Sequence, residues 1–195
     1  MKKPFSFKNY LQKYILIYLV SIVGVSLLSI WVIDFKNKPK REETFGVFYS
    51  SLQFDTKKSS TFIEDLSLES IKETKSYKYR YDNMNFWDYF SANGLSNSDV
   101  FFLNKDAVDK LKDTNYCLPI TGVYTNGSLE TYNEISYKVF DSVNQSGLLK
   151  DFINGELNED FYVCVNKSSP HIGVQNNGTT NNISSFLEGL FNEKD

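Results

Sequence analysis

Apolar and polar positions along this chain follow two different patterns. From Tyr14 to Ile33 the run YILIYLVSIVGVSLLSIWVI carries no charge and is interrupted only by Ser, Gly and Tyr. At about 1.5 Å of rise per residue, a helix of this length reaches roughly 30 Å, the thickness of a bilayer's hydrocarbon core. Tyr14, Tyr18 and Trp31 lie toward its ends, where amphipathic rings prefer the headgroup level. The segment Asp34–Glu43 is polar, contains Pro39 and has no face to bury. Beyond it, short apolar runs alternate with amphipathic ones over roughly 150 residues, enough for one compact domain. The expected organisation is a basic amino end over 1–13, a transmembrane signal anchor over 14–33, a linker over 34–43 and an α/β domain over 44–195.

Within that domain, Phe45–Ser50 reads as a buried strand. Ser59 or Ser60 can cap a helix whose apolar positions are Phe62, Ile63 and Leu66. In Ile71–Tyr81 the residues Tyr77, Tyr79 and Tyr81 alternate with Lys78 and Arg80, the period of a half-exposed strand. Asp82 or Asn83 opens a helix carrying Phe86, Trp87 and Phe90, and Gly94 stands where a left-handed C-terminal cap is wanted. Asp99–Leu103 is a core strand, after which Asn104 caps a helix through Ala107, Val108 and Leu111. Tyr116–Ile120 and Ile135–Phe140 are strand candidates around a turn at Asn126-Gly127. Ser146 can cap a helix using Leu148, Leu149, Phe152 and Ile153. Phe161–Val165 is a core strand, and Asn166–Asn181 is a polar loop. Asn182 then caps a helix with the apolar stripe Ile183, Phe186, Leu187, Leu190 and Phe191. Alternation of this kind predicts an α/β sandwich with a largely parallel sheet.

Charge bears on which side of the membrane the domain lies. Lys2, Lys3, Lys8 and Lys13 precede the span, and Lys36, Lys38, Lys40 and Arg41 follow it, so basic residues alone give no orientation. A basic amino end before an apolar run longer than a signal-peptide core, with no small-residue cleavage site after it, favours an uncleaved signal anchor. The first 33 residues hold four lysines and no acid, leaving the remainder at −7 within the total of −3. An acidic domain has no electrostatic reason to bind anionic lipid or nucleic acid. Placement outside the cytoplasm, with the amino end inside, is the expectation. Cys117 and Cys164 could then form a disulfide, although their apolar runs YCLPI and FYVCV suit buried thiols. The sequons at Asn126, Asn144, Asn166, Asn177 and Asn182 matter only where glycosylation occurs.

The run FGVFYSSLQFD, a helix, IKETKSYKYRY, the helix NFWDYFSANG, then SNSDVFFLNKDAVDKLK and YCLPI resembles the first lobe of an extracellular solute-binding protein of the ABC-importer type. FYVCVNKSSPHIG and the terminal helix resemble, more weakly, the strand by which such bacterial proteins return. The resemblance implies a periplasmic-binding-protein-like fold, a polar solute as ligand and a transporter subunit as partner. Such proteins usually have two lobes and about twice this length, consistent with a ligand held at a domain interface. A lipid-modified cysteine is their common tether. A reduced derivative anchored by a helix fits this chain better.

Candidate chemistry is sparse. His171 is the sole histidine, and Ser168 and Ser169 stand too close to it in sequence to imply a nucleophile–base pair. No metal-binding spacing, phosphate loop or nucleophile elbow is present, so neither an enzyme nor a cofactor is implied. Glu64, Asp65 and Glu69 read as a solvated helix face. Asp55 and Asp99 carry oxygen ligands for a cation but lie in no ligand-dense loop. Ligands of open parallel sheets settle beyond the strands' carboxyl ends. That rule selects Ser50, Ser51 and Gln53 after the first strand, Asn104 after DVFFL, and Ser168, Ser169 and His171 after FYVCV. Hydroxyls, amides and an imidazole suit a sugar or peptide group. The plainer reading of Ser50 and Asn104 is helix capping, and that of Phe86 and Trp87 is core packing rather than stacking on a sugar. Replacing Ser50 and His171 by Ala is expected to weaken binding and spare stability, both being placed at exposed loop ends. A protein–protein docking module without a small ligand is the alternative function.

Overall fold

The computed structural model describes residues 7–125, 129–173, 178 and 180–192, and the chain divides into two compact units, one through Lys38 and one from Pro39. Lys2, Lys3, the Asn126-Gly127 turn and the sequons at Asn126 and Asn177 lie outside the described residues. Among the described residues the first unit is a single helix, α1 (Phe7–Asn37), which continues past Ile33 into the expected linker. Its stretch Ile17–Asn37 is long and apolar enough to cross a membrane, and Val20, Ile22, Val25 and Leu28 are exposed on it. Ser26 and Ser29 donate their hydroxyls to the Ile22 and Val25 carbonyls at 2.8 Å, so these two polar groups inside the apolar run are satisfied by the helix itself.

The second unit contains β1 (Thr44–Tyr49), α2 (Thr56–Asp65), β2 (Glu73–Lys78), α3 (Phe86–Tyr89), β3 (Val100–Asn104), α4 (Lys105–Leu111), β4 (Thr131–Tyr132), β5 (Ser136–Asp141), β6 (Ser146–Gly147), β7 (Phe161–Val165) and α5 (Asn182–Asn192). The sheet order is β2-β1-β3-β7-β5-β4, with β6 beside β5. β1 is parallel to β2 and β3, whereas β7 is antiparallel to β3 and β5, and β4 and β6 are antiparallel to β5. The fold is therefore mixed α/β, and the largely parallel sheet expected from the sequence is corrected. Strand–helix alternation, which enforces parallel crossovers, persists only through α4. After it, short loops such as 133–135 and 142–145 join antiparallel neighbours.

Helices cover both faces of the central strands, which is why β1, β3 and β7 are buried along their whole length. On one face Phe45, Val47, Phe102 and Val163 pack with Phe62 and Ile63 of α2 and with Ile183, Phe186 and Leu187 of α5. On the other, Phe48, Phe101, Leu103 and Cys164 pack with Phe86 of α3, Phe90, and Ala107, Val108 and Leu111 of α4. The alternation of Phe101 and Phe102 between two clusters is the period of a strand carried into a three-layer core.

Several local expectations change. α2 begins earlier because Asp55 caps it, accepting from the Lys57 and Lys58 N–H groups, and Ser59 lies inside the helix, bonded to the buried Tyr49 hydroxyl. Gly94 does not adopt a left-handed conformation. It sits in a π-helical turn, where a Cβ would stand 2.5 Å from the Phe90 ring, so it makes room for packing. The helix expected from Ser146 is absent: Ser146–Gly147 is β6, with Gly147 at φ +141° against the Val139 carbonyl, and only Lys150–Phe152 forms a 3-10 turn. Tyr116–Ile120 supplies a single bridge, Cys117 to Asn166. Asn182 uses its amide to hold the Glu69 backbone, accepting from its N–H at 2.9 Å and donating to its carbonyl at 2.8 Å.

Candidate functional site

Because β1, β2 and β3 are parallel and β7 runs the other way, the carboxyl ends of the first three share an edge with the start of β7. Ser50 stitches that edge together. Its N–H donates to the Phe102 carbonyl at 3.0 Å, its hydroxyl accepts from the Asn104 N–H at 3.0 Å, and its carbonyl accepts from the Tyr81 N–H at 3.2 Å. The following turn is shaped by the Ser51 hydroxyl, which accepts from the Gln53 N–H at 3.2 Å. Lys78 Nζ anchors the same turn through the Leu52 and Phe54 carbonyls at 3.2 and 2.9 Å. On its far side the Gln53 carbonyl accepts from the Asn154 N–H at 2.8 Å.

These elements enclose an open cleft of about 440 Å³, within the range of small-molecule sites. Ser50, Ser51 and Gln53 line one wall, the ion pair Arg80–Asp82 another, and Asn158 and Glu159 a third, over a floor that includes Leu157 and Phe161. A second cleft of about 310 Å³ shares Asn158 and Glu159 and extends past Asn104, Lys105, Asp106 and Asp160. Glu159 stands between the two, its Oε2 accepting from Asn104 Nδ2 at 2.6 Å while Asn104 Oδ1 caps α4 through the Ala107 N–H at 3.2 Å. Asp160 has its own partners. Ser142 donates to it through its N–H and hydroxyl at 2.8 and 2.9 Å, and Lys138 through its ammonium at 2.8 Å. The bond to Asp160, and then that to Asp141, holds the Lys138 ammonium protonated well above the usual lysine range.

Ser50, Ser51, Gln53 and Asn104 thus come together as expected at one edge. Ser168, Ser169 and His171 do not. β7 is antiparallel, so the residues after it emerge at the opposite, amino-terminal edge of β1. There the Asp99 carboxylate is fully buried and accepts from Arg41 at 2.6 and 3.1 Å, from the Gly46 N–H at 2.7 Å and from the Ser169 hydroxyl. His171 is also fully buried, with Nε2 3.1 Å from the Thr44 carbonyl and Nδ1 3.0 Å from Thr180 Oγ1. Ser168 is exposed, its N–H turned onto Asn166 Oδ1 at 3.0 Å. The expected exposure of Ser50 and His171 is corrected, since both are structural and enclosed.

Asp99 is committed to Arg41 and Asp55 to the cap of α2, and among the described residues no cluster of His, Cys, Asp or Glu is arranged to hold a metal ion. Phe86 is buried, and Trp87 is half-buried against Phe86, Phe90 and Tyr81, with Lys110 over its ring. Sequence reasoning missed Arg80, Asp82, Asn158 and Glu159. The first two follow β2 directly and the carboxyl-end rule would have found them. The other two precede β7, and only its direction in the sheet brings them here. Compared with protein-family models, with curated proteins and with solved structures, the chain matches none.

Proposed function

We propose that this chain is a single-pass membrane protein whose domain, held outside the cytoplasm, is a non-catalytic binding module for a polar solute and acts beside an ABC-type importer. The observation that carries the reading is the cleft at the carboxyl edge, where hydroxyl, amide, guanidinium and carboxylate groups surround a partly apolar floor. A sugar or a short peptide offers the matching donors and acceptors. The sole histidine is enclosed at the other edge, away from this cleft, which supports binding over catalysis. The order β2-β1-β3 with β7 returning beside β3 supports the likeness to one lobe of a solute-binding protein.

The test is thermal-shift screening of the detergent-solubilised full chain against sugars, peptides and amino acids. A ligand at 100 times its dissociation constant stabilises by about 2.7 kcal/mol, and Ser51→Ala with Gln53→Ala should remove the shift. No shift with any solute, or a shift that the double variant retains, would overturn the proposal. A reporter fused after Asp195 tests the side of the membrane, with activity expected only outside the cytoplasm.

A further inference from the structure

Cys117 and Cys164 come from distant parts of the chain, yet both side chains are buried in the same cluster, beside Phe101 and Phe90. The bridge that brings them together is antiparallel, Cys117 lying opposite Asn166. The Leu118 N–H donates to the Val165 carbonyl at 3.1 Å and the Lys167 N–H to the Tyr116 carbonyl at 2.9 Å. Cys164 stands two residues before Asn166 on the same strand, so its side chain shares the face onto which Cys117 projects. The two are diagonal neighbours across a ladder. We propose that Cys117 and Cys164 are a redox pair that closes into an intramolecular disulfide, stapling the strap 116–118 to β7.

The bridge is a single residue long, so few ladder bonds hold the strap against the movement that brings the Cβ atoms to the about 3.5–4.5 Å a disulfide requires. The Cys117 thiol beside it, and then burial, raise the Cys164 thiol well above its ordinary value. Cys117 is 7 % exposed and Cys164 fully enclosed, which sets the order of events. The Cys117 thiolate attacks one sulfur of a small-molecule disulfide and expels a thiolate that takes up a proton. Cys164 then gives up its proton, and its sulfur attacks the Cys117 sulfur of the mixed disulfide, releasing the second small thiol. Two protein thiols are oxidised to one disulfide, and one external disulfide is reduced to two thiols.

The detergent-solubilised full chain, incubated with oxidised glutathione, acid-quenched, alkylated and mapped by mass spectrometry, tests this directly. The expected product is a peptide linking Cys117 to Cys164, reversed by dithiothreitol, with a Tm about 5 °C or more above the reduced form. In Cys164→Ser, which lacks the resolving thiol, glutathione should accumulate on Cys117. Two free, alkylatable thiols after oxidation, or a glutathione adduct on Cys117 as the final product of the unaltered chain, would overturn the proposal. The pair lies toward the end of β7 remote from the cleft, so closing it should leave solute affinity unchanged, and either proposal can fail alone.

Discussion

Asp99 and Asp55 stand at opposite edges of the same sheet and differ in almost everything but chemistry. Asp99 is sealed in, and its two oxygens accept four hydrogen bonds, from Arg41, Gly46 and Ser169. Asp55 follows the Ser51–Gln53 turn, and its Oδ1 accepts the Lys57 and Lys58 N–H groups that begin α2, at 3.0 and 3.2 Å, with Asn154 Nδ2 at 3.5 Å from its Oδ2. Around Asp99 every polar side chain is consumed: Ser169 serves the carboxylate, and His171 spans Thr44 and Thr180. Around the cleft, Arg80 pairs with its near neighbour Asp82, and Glu159, which accepts from Asn104, is exposed. Polar residues at strand ends thus serve two purposes, and burial separates them. A buried polar cluster must be satisfied within the protein, while an open one can exchange water for a ligand.

The largest effect should come from the sealed edge. Asp99→Ala removes one partner of a buried ion pair and strands the Arg41 guanidinium and the Gly46 N–H. Losses for such pairs are about 3–5 kcal/mol, and the lower end applies because Arg41 keeps some access to water. Urea unfolding of the full chain should show it, and an unchanged midpoint would mean that the buried network is not what holds this edge together. His171→Ala follows, at about 1–3 kcal/mol for the buried hydrogen bonds to Thr44 and Thr180 that it removes, the Thr44 carbonyl keeping Arg41 as a donor. It should leave any solute affinity untouched. A variant that keeps its stability but loses binding would reverse the assignment of the two edges.

At the open edge the signs invert. Ser51→Ala combined with Gln53→Ala touches exposed or half-exposed side chains and should move stability by no more than about 0.5 kcal/mol. The same pair should abolish the solute-induced shift in Tm. A stability loss comparable with that of Asp99→Ala would show that the turn is a structural element rather than a binding wall.

The sequence made the elements more legible than their directions. Phe45–Ser50, Asp99–Leu103, Phe161–Val165 and the α5 stripe were readable because continuous apolar runs and helical spacing are local signals. The antiparallel course of β7 was not, because it depends on which strand end meets β3 after a long excursion through 112–160. From that one direction follows the split of the candidate site. Ser50, Ser51, Gln53 and Asn104 remained together, while Ser168, Ser169 and His171 went to the other edge. Short elements were the other loss. Ser146–Gly147 looked like a helix start because Ser caps helices, yet Gly147's backbone conformation and its approach to the Val139 carbonyl make it a strand residue. No local pattern announces such a contact.

The smallest predicted effect separates charge from capping at the open edge. The Lys58 N–H, with that of Lys57, holds the Asp55 carboxyl below its usual range. Its folded pKa therefore lies under its unfolded one, so the carboxylate's contribution is full above the unfolded value of about 3.9 and is lost as pH falls through the folded value. Asp55→Asn keeps an acceptor for the cap but removes the negative charge that favours a helix amino terminus. The variant should be slightly less stable than the unaltered chain at neutral pH, and the gap in urea midpoint should close as the pH drops below about 4. High salt should narrow the gap at neutral pH too, because Asp55 is solvated. No such closure is expected for Asp99→Ala at neutral pH in high salt, since its loss comes from stranded buried groups that salt screens poorly. If salt narrowed both gaps alike, the contrast between the sealed and the open edge would fail.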